Sequence, residues 1–387
     1  MKRAKLAAEA SQLMVAIEHA PDLAATSARA SARADGYMPQ IDTLRAIAVA
    51  SVMFEHYLPY QFHKLGLIDG VLLFFAISGF LITGILLNYR AEAARGGAGL
   101  RHALGVFYAR RTLRIFPAYY LLLFILLVLG FAGVEGNFLW HFTYTTNIWT
   151  ALSGRWDTIA GHFWSLSVEE QFYLCWPLAA LTAPRRALPW IMGIGVLAGV
   201  AFRAAALQFH WGLAIITLPM ANFDALLGGG LLAWLQWGDK QGALAVLRRW
   251  GWLSMPLIPV FFYTPSALKD VLMPSAMALA SVYVIDQCST GYRGVLGWLF
   301  SRPLILYLGK ISYGLYLYHY VVRLFVPDEW FNVMGPFKDY GRAVVFGLMS
   351  ITCAMLSWHL FEQPINRLKS RFKIRSASQS AAHSPAP

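Results

Sequence analysis

Apolar stretches of roughly twenty residues, separated by short polar loops, recur along the chain from residue 41 onward. About 20 apolar residues are what an α-helix needs to cross the hydrocarbon core of a bilayer. Ten stretches qualify: 41–60, 70–89, 115–134, 164–182, 187–206, 213–236, 250–264, 271–287, 303–325 and 341–361. The seventh and eighth are short. The pattern predicts an all-α, polytopic integral membrane protein of about ten transmembrane helices. No internal repeat is visible, and no stretch is long enough for a separate soluble domain. Residues 1–36 are polar and Ala-rich and lack the apolar h-region of a signal peptide. They read as a cytoplasmic tail, either floppy or with Leu6, Leu13, Met14 and Ile17 forming one apolar face of a short helix lying on the membrane. Residues 37–365 then form the membrane domain, and 366–387 a basic cytoplasmic tail.

Composition supports the same class. Of 387 residues, 58% are apolar and 13% charged, against about 45–50% and about 25% in soluble domains. The three cysteines, Cys175, Cys288 and Cys353, are far apart and read as packing residues. The net charge of +12 would suit a nucleic-acid partner, but its placement argues against one. Most of the 32 Lys and Arg fall in the N-terminal tail, in alternate loops (90–114, 185–186, 240–249, 293–302) and after residue 366. That alternation is the positive-inside pattern, and it places both termini in the cytoplasm.

Ionisable groups inside spans are costly and therefore functional candidates. Arg45 and His56 are 11 residues apart in the first span. At 100° per residue they share one helix face to within about 20°, separated by about 16 Å along the axis. A neutral imidazole there can take and return a hydroxyl proton. Arg111 and Arg114 are i, i+3 neighbours and Arg110 and Arg114 are i, i+4 neighbours, a basic cluster opening the third span. Such a cluster can hold phosphate bidentately, although positive-inside anchoring accounts for it as well. Pro117 falls in the first turns of that predicted span, where its missing N–H costs least. Glu169 and Glu170 stand in H-F-W-S-L-S-V-E-E-Q-F-Y at 162–173, with Trp164, Ser165 and Tyr173 alongside. One carboxylate could orient a catalytic His, while Ser167 and Glu170 also fit a capping box. Lys310, Ser312, Tyr313 and His319 fall in the ninth span, where hydroxyls serve equally as inter-helix hydrogen bonds. His141 and His162 lack metal-ligand spacing, and no metal site is expected.

Several segments resemble the membrane acyltransferase 3 family. They are L-R-A-I-A-V-A-S-V-M-F-E-H at 44–56, L-F-F-A-I-S-G-F-L-I at 73–82, R-R-T-L-R-I-F-P-A-Y at 110–119, W-S-L-S-V-E-E-Q-F-Y at 164–173, G-K-I-S-Y-G-L-Y-L-Y-H at 309–319 and F-E-Q-P at 361–364. The resemblance implies a multi-pass enzyme of the bacterial inner membrane. Its members move an acyl group, often acetyl or succinyl, from cytoplasmic acyl-CoA to a hydroxyl of a glycan or lipid-linked sugar. It implies that Arg45 and His56 are essential, that Arg110, Arg111 and Arg114 engage the donor, and that Glu169 and Glu170 are the family's acidic pair. Trp164, Ser165, Tyr173, Ser312 and Tyr313 are then expected to line the substrate path. The expected mechanism brings the thioester to His56, with Glu169 or Glu170 orienting the imidazole. Some relatives carry a fused SGNH esterase-like domain; here any such partner is expected to be separate. One departure concerns F-D-A-L-L-G-G-G at 223–230, which in relatives follows closely on an Arg. Ala221 and Asn222 stand there instead. The partners implied are the carbohydrate acceptor, the bilayer and other glycan-biosynthesis proteins, with no nucleic acid.

Two rival readings remain on physical grounds. Intramembrane His, Glu and Arg also suit a transporter or flippase of a lipid-linked sugar, although no inverted repeat supports it. A membrane interaction protein that recruits a glycan-synthesis complex would leave all four constellations without a role.

Overall fold

The computed structural model describes residues 37–58, 69–95 and 99–372, and every regular element among them is helical. The amphipathic helix expected within 1–36 lies outside the described residues. The principal helices are α1 (Pro39–Tyr57), α2 (Gly70–Ala94), α3 (Leu100–Val128), α4 (Phe163–Thr182), α5 (Leu188–Gln208), α6 (Phe223–Trp237), α7 (Ser266–Thr290), α8 (Pro303–Lys310), α9 (Ser312–Tyr318) and α10 (Lys338–Ser357). By length and composition, five helical segments can cross a membrane: α2, α3, α5, α7 and the stretch Asp328–Arg371.

Of the other predicted spans, the first and fourth form continuous helices, α1 and α4, and three are short or interrupted for local reasons. The sixth breaks into Ala214–Thr217, a 3₁₀ turn Pro219–Asn222, and α6. Pro219 at the start of that turn cannot donate to the preceding helix. The seventh contracts to Ser254–Phe261, a helix of 8 residues. That is about 12 Å of rise, well short of a bilayer. The ninth is divided at Ile311 between α8 and α9. Two further expectations are corrected. Helix α3 begins at Leu100, so Pro117 lies in its interior rather than in its first turns. Helix α4 begins at Phe163, so Ser167 is no cap; its hydroxyl donates back to the Phe163 carbonyl at 2.9 Å. The capping-box reading of Glu170 therefore falls.

Helix α2 is the centre of the bundle. In its most apolar window 72% of residues are buried, against 22% in α5. Its entry is capped by Asp69, whose carboxylate accepts from the Val71 and Leu72 N–H groups, both at 2.9 Å. α2 meets α6 backbone to backbone. A Cβ at Gly79 would collide with the Leu226 carbonyl, and one at Gly229 with the Ala76 carbonyl. Small residues at such crossings let helices pack without a hydrophobic driving force. α4 is tied to α2 by the Trp176 indole N–H, which donates to Thr83 at 2.9 Å. α1 is tied to the segment before α8 by Thr43, which donates to the Phe300 carbonyl at 2.5 Å. These contacts hold α1, α2, α4 and α9 around the polar side chains.

Candidate active site

Two cavities lie between these helices. The first, about 60 Å³, is lined by Arg45 of α1, Arg111 and Arg114 of α3, Ser78 of α2, Glu169 and Tyr173 of α4, and Ser312 and Tyr313 around α9. The second, about 750 Å³, is lined by His56, Asp69, His162, Trp164, Arg203 and Tyr320, among others. Val71 and Tyr316 line both. Helix α1 thus delivers Arg45 to one cavity and His56 to the other, as its period requires.

In the arginine cavity Glu169 is engaged by neighbours other than a histidine. Its Oε1 accepts from the Ser78 hydroxyl at 2.5 Å, and Ser78 accepts from the Tyr173 hydroxyl at 2.8 Å. The Arg111 guanidinium lies 4.0 Å above the Tyr173 ring. Arg45 pairs with Asp42 one turn away at 3.6 Å. One cationic donor stays unmatched. Nε of Arg111 is buried without a hydrogen-bond partner. Arg114 makes no ion pair with a carboxylate among the described residues. A buried guanidinium N–H without an acceptor is expensive. Arg110 is exposed and does not line the cavity. It lies within electrostatic reach of Lys369, as do Arg111, Arg114 and Arg45.

The histidine cavity is built on imidazoles. His56 Nδ1 lies 2.9 Å from the Val52 carbonyl one turn back. A carbonyl only accepts, so the network assigns the hydrogen to Nδ1 and the lone pair to Nε2. The same Nδ1 lies 3.3 Å from Nε2 of His319, whose own Nδ1 donates to the Tyr316 carbonyl at 2.6 Å. His319 is fully buried. The expected orienting carboxylate is therefore corrected. Glu169 stands in the other cavity, and an imidazole takes the place beside His56 that a carboxylate takes in acyl-transfer triads. Glu170 lines neither cavity; it lies within electrostatic reach of Arg111, Tyr119, Tyr144 and Tyr313. Among the described residues no group of His, Cys, Asp and Glu could hold a metal ion.

The wall between the cavities is a hydrogen-bonded cluster. The hydroxyls of Ser165 and Tyr316 are bonded to each other, and both reach the His162 carbonyl, at 3.1 and 3.3 Å. Phe74 meets Tyr316 edge-on at 5.9 Å. Trp164, on the other face of α4, opens on the histidine cavity.

The profile of the acyltransferase domain family matches residues 38–359. The chain is a member of the membrane acyltransferase 3 family. It is 27% identical over 366 residues to the peptidoglycan O-acetyltransferase OatA of Listeria monocytogenes, an alignment covering 86% of this chain and 56% of that protein. It is also 27% identical over 368 residues to the putative peptidoglycan O-acetyltransferase YrhL of Bacillus subtilis, covering 85% and 55%. The chain thus spans about half the length of these curated relatives. No solved structure matches it.

The residues singled out in the sequence divide by cavity. Arg45, Arg111, Arg114, Glu169, Ser165, Tyr173, Ser312 and Tyr313 gather in one, and His56 and Trp164 in the other. Sequence reasoning missed Ser78, Tyr316, His162 and Arg203 as site-lining groups. Ser78 and Tyr316 sit inside recognisable segments, and their value emerges only from the partners that other helices bring. Arg203 answers the departure at 221–222. From α5 it reaches Asp224 at 2.7 Å and donates to the Ala221 carbonyl, supplying the guanidinium that the local sequence lacks.

Proposed function

We propose that this chain is a membrane O-acyltransferase that moves an acyl group, acetyl in the first instance, from acyl-CoA to a hydroxyl of a cell-envelope or lipid-linked carbohydrate. The observation that carries the reading is the pair of cavities sharing Val71 and Tyr316, one cationic and one imidazole-lined. The proposed setting is the bacterial inner membrane, with about ten crossings and both termini in the cytoplasm. The arginine cavity then faces the cytoplasm and the histidine cavity the outer side.

In this reading the donor's phosphates sit at the basic mouth formed by Arg110, Arg111, Arg114 and Lys369. A cavity of about 60 Å³ is too small for a nucleotide, so only the slender thioester arm enters. Arg45, Arg111 and Arg114 steer it, and Glu169 with Ser78 and Tyr173 holds that wall in register. The arm covers the roughly 16 Å of α1 from Arg45 to His56. His56 Nε2 meets the acyl carbon or the acceptor hydroxyl there, as nucleophile or base. His319 holds the ring from the other side. The larger cavity receives the carbohydrate, and the named relatives make soluble peptidoglycan fragments the first acceptor to try.

The test uses purified protein in nanodiscs with radiolabelled acetyl-CoA. Wild type is expected to release CoA and label an added glycan acceptor. His56→Ala is expected to do neither while remaining inserted and folded. Near wild-type transfer by His56→Ala would remove His56 from the mechanism. No release or labelling by wild type with either acetyl-CoA or succinyl-CoA would remove the donor reading.

A further inference from the structure

His162 is a second histidine of the larger cavity, and the mechanism above gives it no role. It is 3% exposed and stands just before α4. Its Nε2 lies 3.1 Å from the Leu317 carbonyl. That acceptor requires a hydrogen on Nε2, so the neutral ring carries its lone pair on Nδ1. Nδ1 is buried and has no hydrogen-bond partner. An unmatched buried acceptor is costly, and in a native structure it calls for an explanation. Among the described residues lining this cavity, no other buried side-chain nitrogen or oxygen is without a partner. Arg203 is matched by Asp224, and Asp69 by the start of α2.

The ring is also locked in place. It stacks on Tyr320 with centroids 5.1 Å apart and meets His319 edge-on at 5.2 Å. Tyr320 in turn meets His56 edge-on at 5.4 Å. His56 and His162 therefore flank one tyrosine and line the same cavity. The His162 carbonyl anchors the Ser165–Tyr316 wall, so the ring stands where the thioester arm would emerge.

We infer that His162 is a second base of the transfer reaction, whose Nδ1 takes the hydrogen of the acceptor hydroxyl. The inference rests on the acyltransferase reading. In the step, the hydroxyl oxygen forms a C–O bond to the acyl carbon. The bond from that carbon to its carrier, the sulfur of CoA or Nε2 of His56, breaks, and its electron pair stays with the carrier atom. The hydroxyl hydrogen passes to Nδ1, and from the resulting imidazolium to water in the cavity. A sugar hydroxyl is the class of group that fits, since it donates one hydrogen to Nδ1 and has neighbouring hydroxyls for the polar walls.

The experiment turns on the two ring nitrogens. His162→Gln keeps an N–H donor near the Nε2 position for the Leu317 carbonyl and removes the Nδ1 acceptor. Wild type and His162→Gln are compared in nanodiscs for acetyl-CoA binding, melting temperature and turnover, with soluble peptidoglycan fragments as acceptor and with water alone. His162→Gln is expected to bind acetyl-CoA and melt as wild type does, and to lose turnover by about a hundredfold or more, as removal of a positioned base does. Turnover within about fivefold of wild type would reduce His162 to its Leu317 hydrogen bond and overturn the inference. Loss of donor binding together with turnover would overturn it too. If wild type itself releases no CoA, the acyltransferase reading fails first, and the inference with it. Should the Gln variant not insert, His162→Gly is assayed with added imidazole. Restored turnover supports the base, and absence of rescue removes it.

Discussion

The two cavities are neighbours built from the same helices, yet they obey opposite rules. The arginine cavity is small and crowded, and its cations outrun their partners: Arg111 Nε is unmatched and Arg114 has no carboxylate within ion-pair range among the described residues. The histidine cavity is more than ten times larger by volume, and its buried Arg203 is bonded to Asp224, Ser275 and two carbonyls. One cavity is walled by guanidinium groups, and the other by the imidazoles of His56 and His162. A reaction that takes a phosphorylated donor on one side and an uncharged hydroxyl on the other needs this asymmetry. On the proposed reading, binding and chemistry are separated along α1, with Arg45 serving one and His56 the other.

The hardest way to break the comparison is to unsettle the settled cavity. Arg203→Ala leaves the buried Asp224 carboxylate without a counter-charge, and removing one partner of a buried pair costs about 3–5 kcal/mol. The melting temperature should fall sharply. Removing both charges in Arg203→Met with Asp224→Leu should cost much less than the sum of the single changes, because no orphan charge remains. Equal losses in the single and double variants would mean that packing, not charge, dominates there.

Next in size is His56→Ala, which should lower turnover by at least about a hundredfold while leaving acetyl-CoA binding and the melting temperature near wild type. Arg114→Gln should do the reverse. It removes one charged contact to the donor, worth about 1.5–3 kcal/mol, so donor affinity should fall by about tenfold or more, with the maximal rate much less affected. If Arg114→Gln changed the maximal rate and His56→Ala changed donor affinity, the division between the cavities would be wrong.

What the sequence made legible follows from what one helix can carry. The shared face of Arg45 and His56 is a property of α1 alone, and the structure keeps it. The helical class and the order of the polar segments were likewise readable from spacing. Relations between helices were not. Glu169 looked like the partner of His56 because both are ionisable groups in recognisable segments. Only the packing of α4 against α2 shows that Glu169 meets Ser78 instead. His319 looked like part of a hydroxyl-rich helix face, and its place behind His56 depends on a contact 263 positions apart in the chain. The interruptions at Pro219 and Ile311 were missed for a related reason. Apolar content measures affinity for lipid, and a buried break costs little where neighbouring helices satisfy the freed backbone.

The smallest expected effect concerns the wall itself. Tyr316→Phe keeps the ring that packs on Phe74 and removes only the hydroxyl that joins Ser165 and the His162 carbonyl. A neutral hydrogen bond of this kind is worth about 1 kcal/mol net, so the wall should open about fivefold more often. CoA release to water, without acceptor, should rise by that factor, because the thioester meets the histidine cavity before a carbohydrate has filled it. Transfer to an added acceptor should change less, since an occupied cavity excludes water in either protein. Ser165→Ala removes the other half of the same bond and should give the same rise, and the double variant no more than either alone. Adding His56→Ala should abolish the leak, because the leak uses the same chemistry. A Tyr316→Phe protein whose water and acceptor rates fall together would mean that the hydroxyl holds the site in shape, and the two cavities would then be one site divided only by side chains at rest.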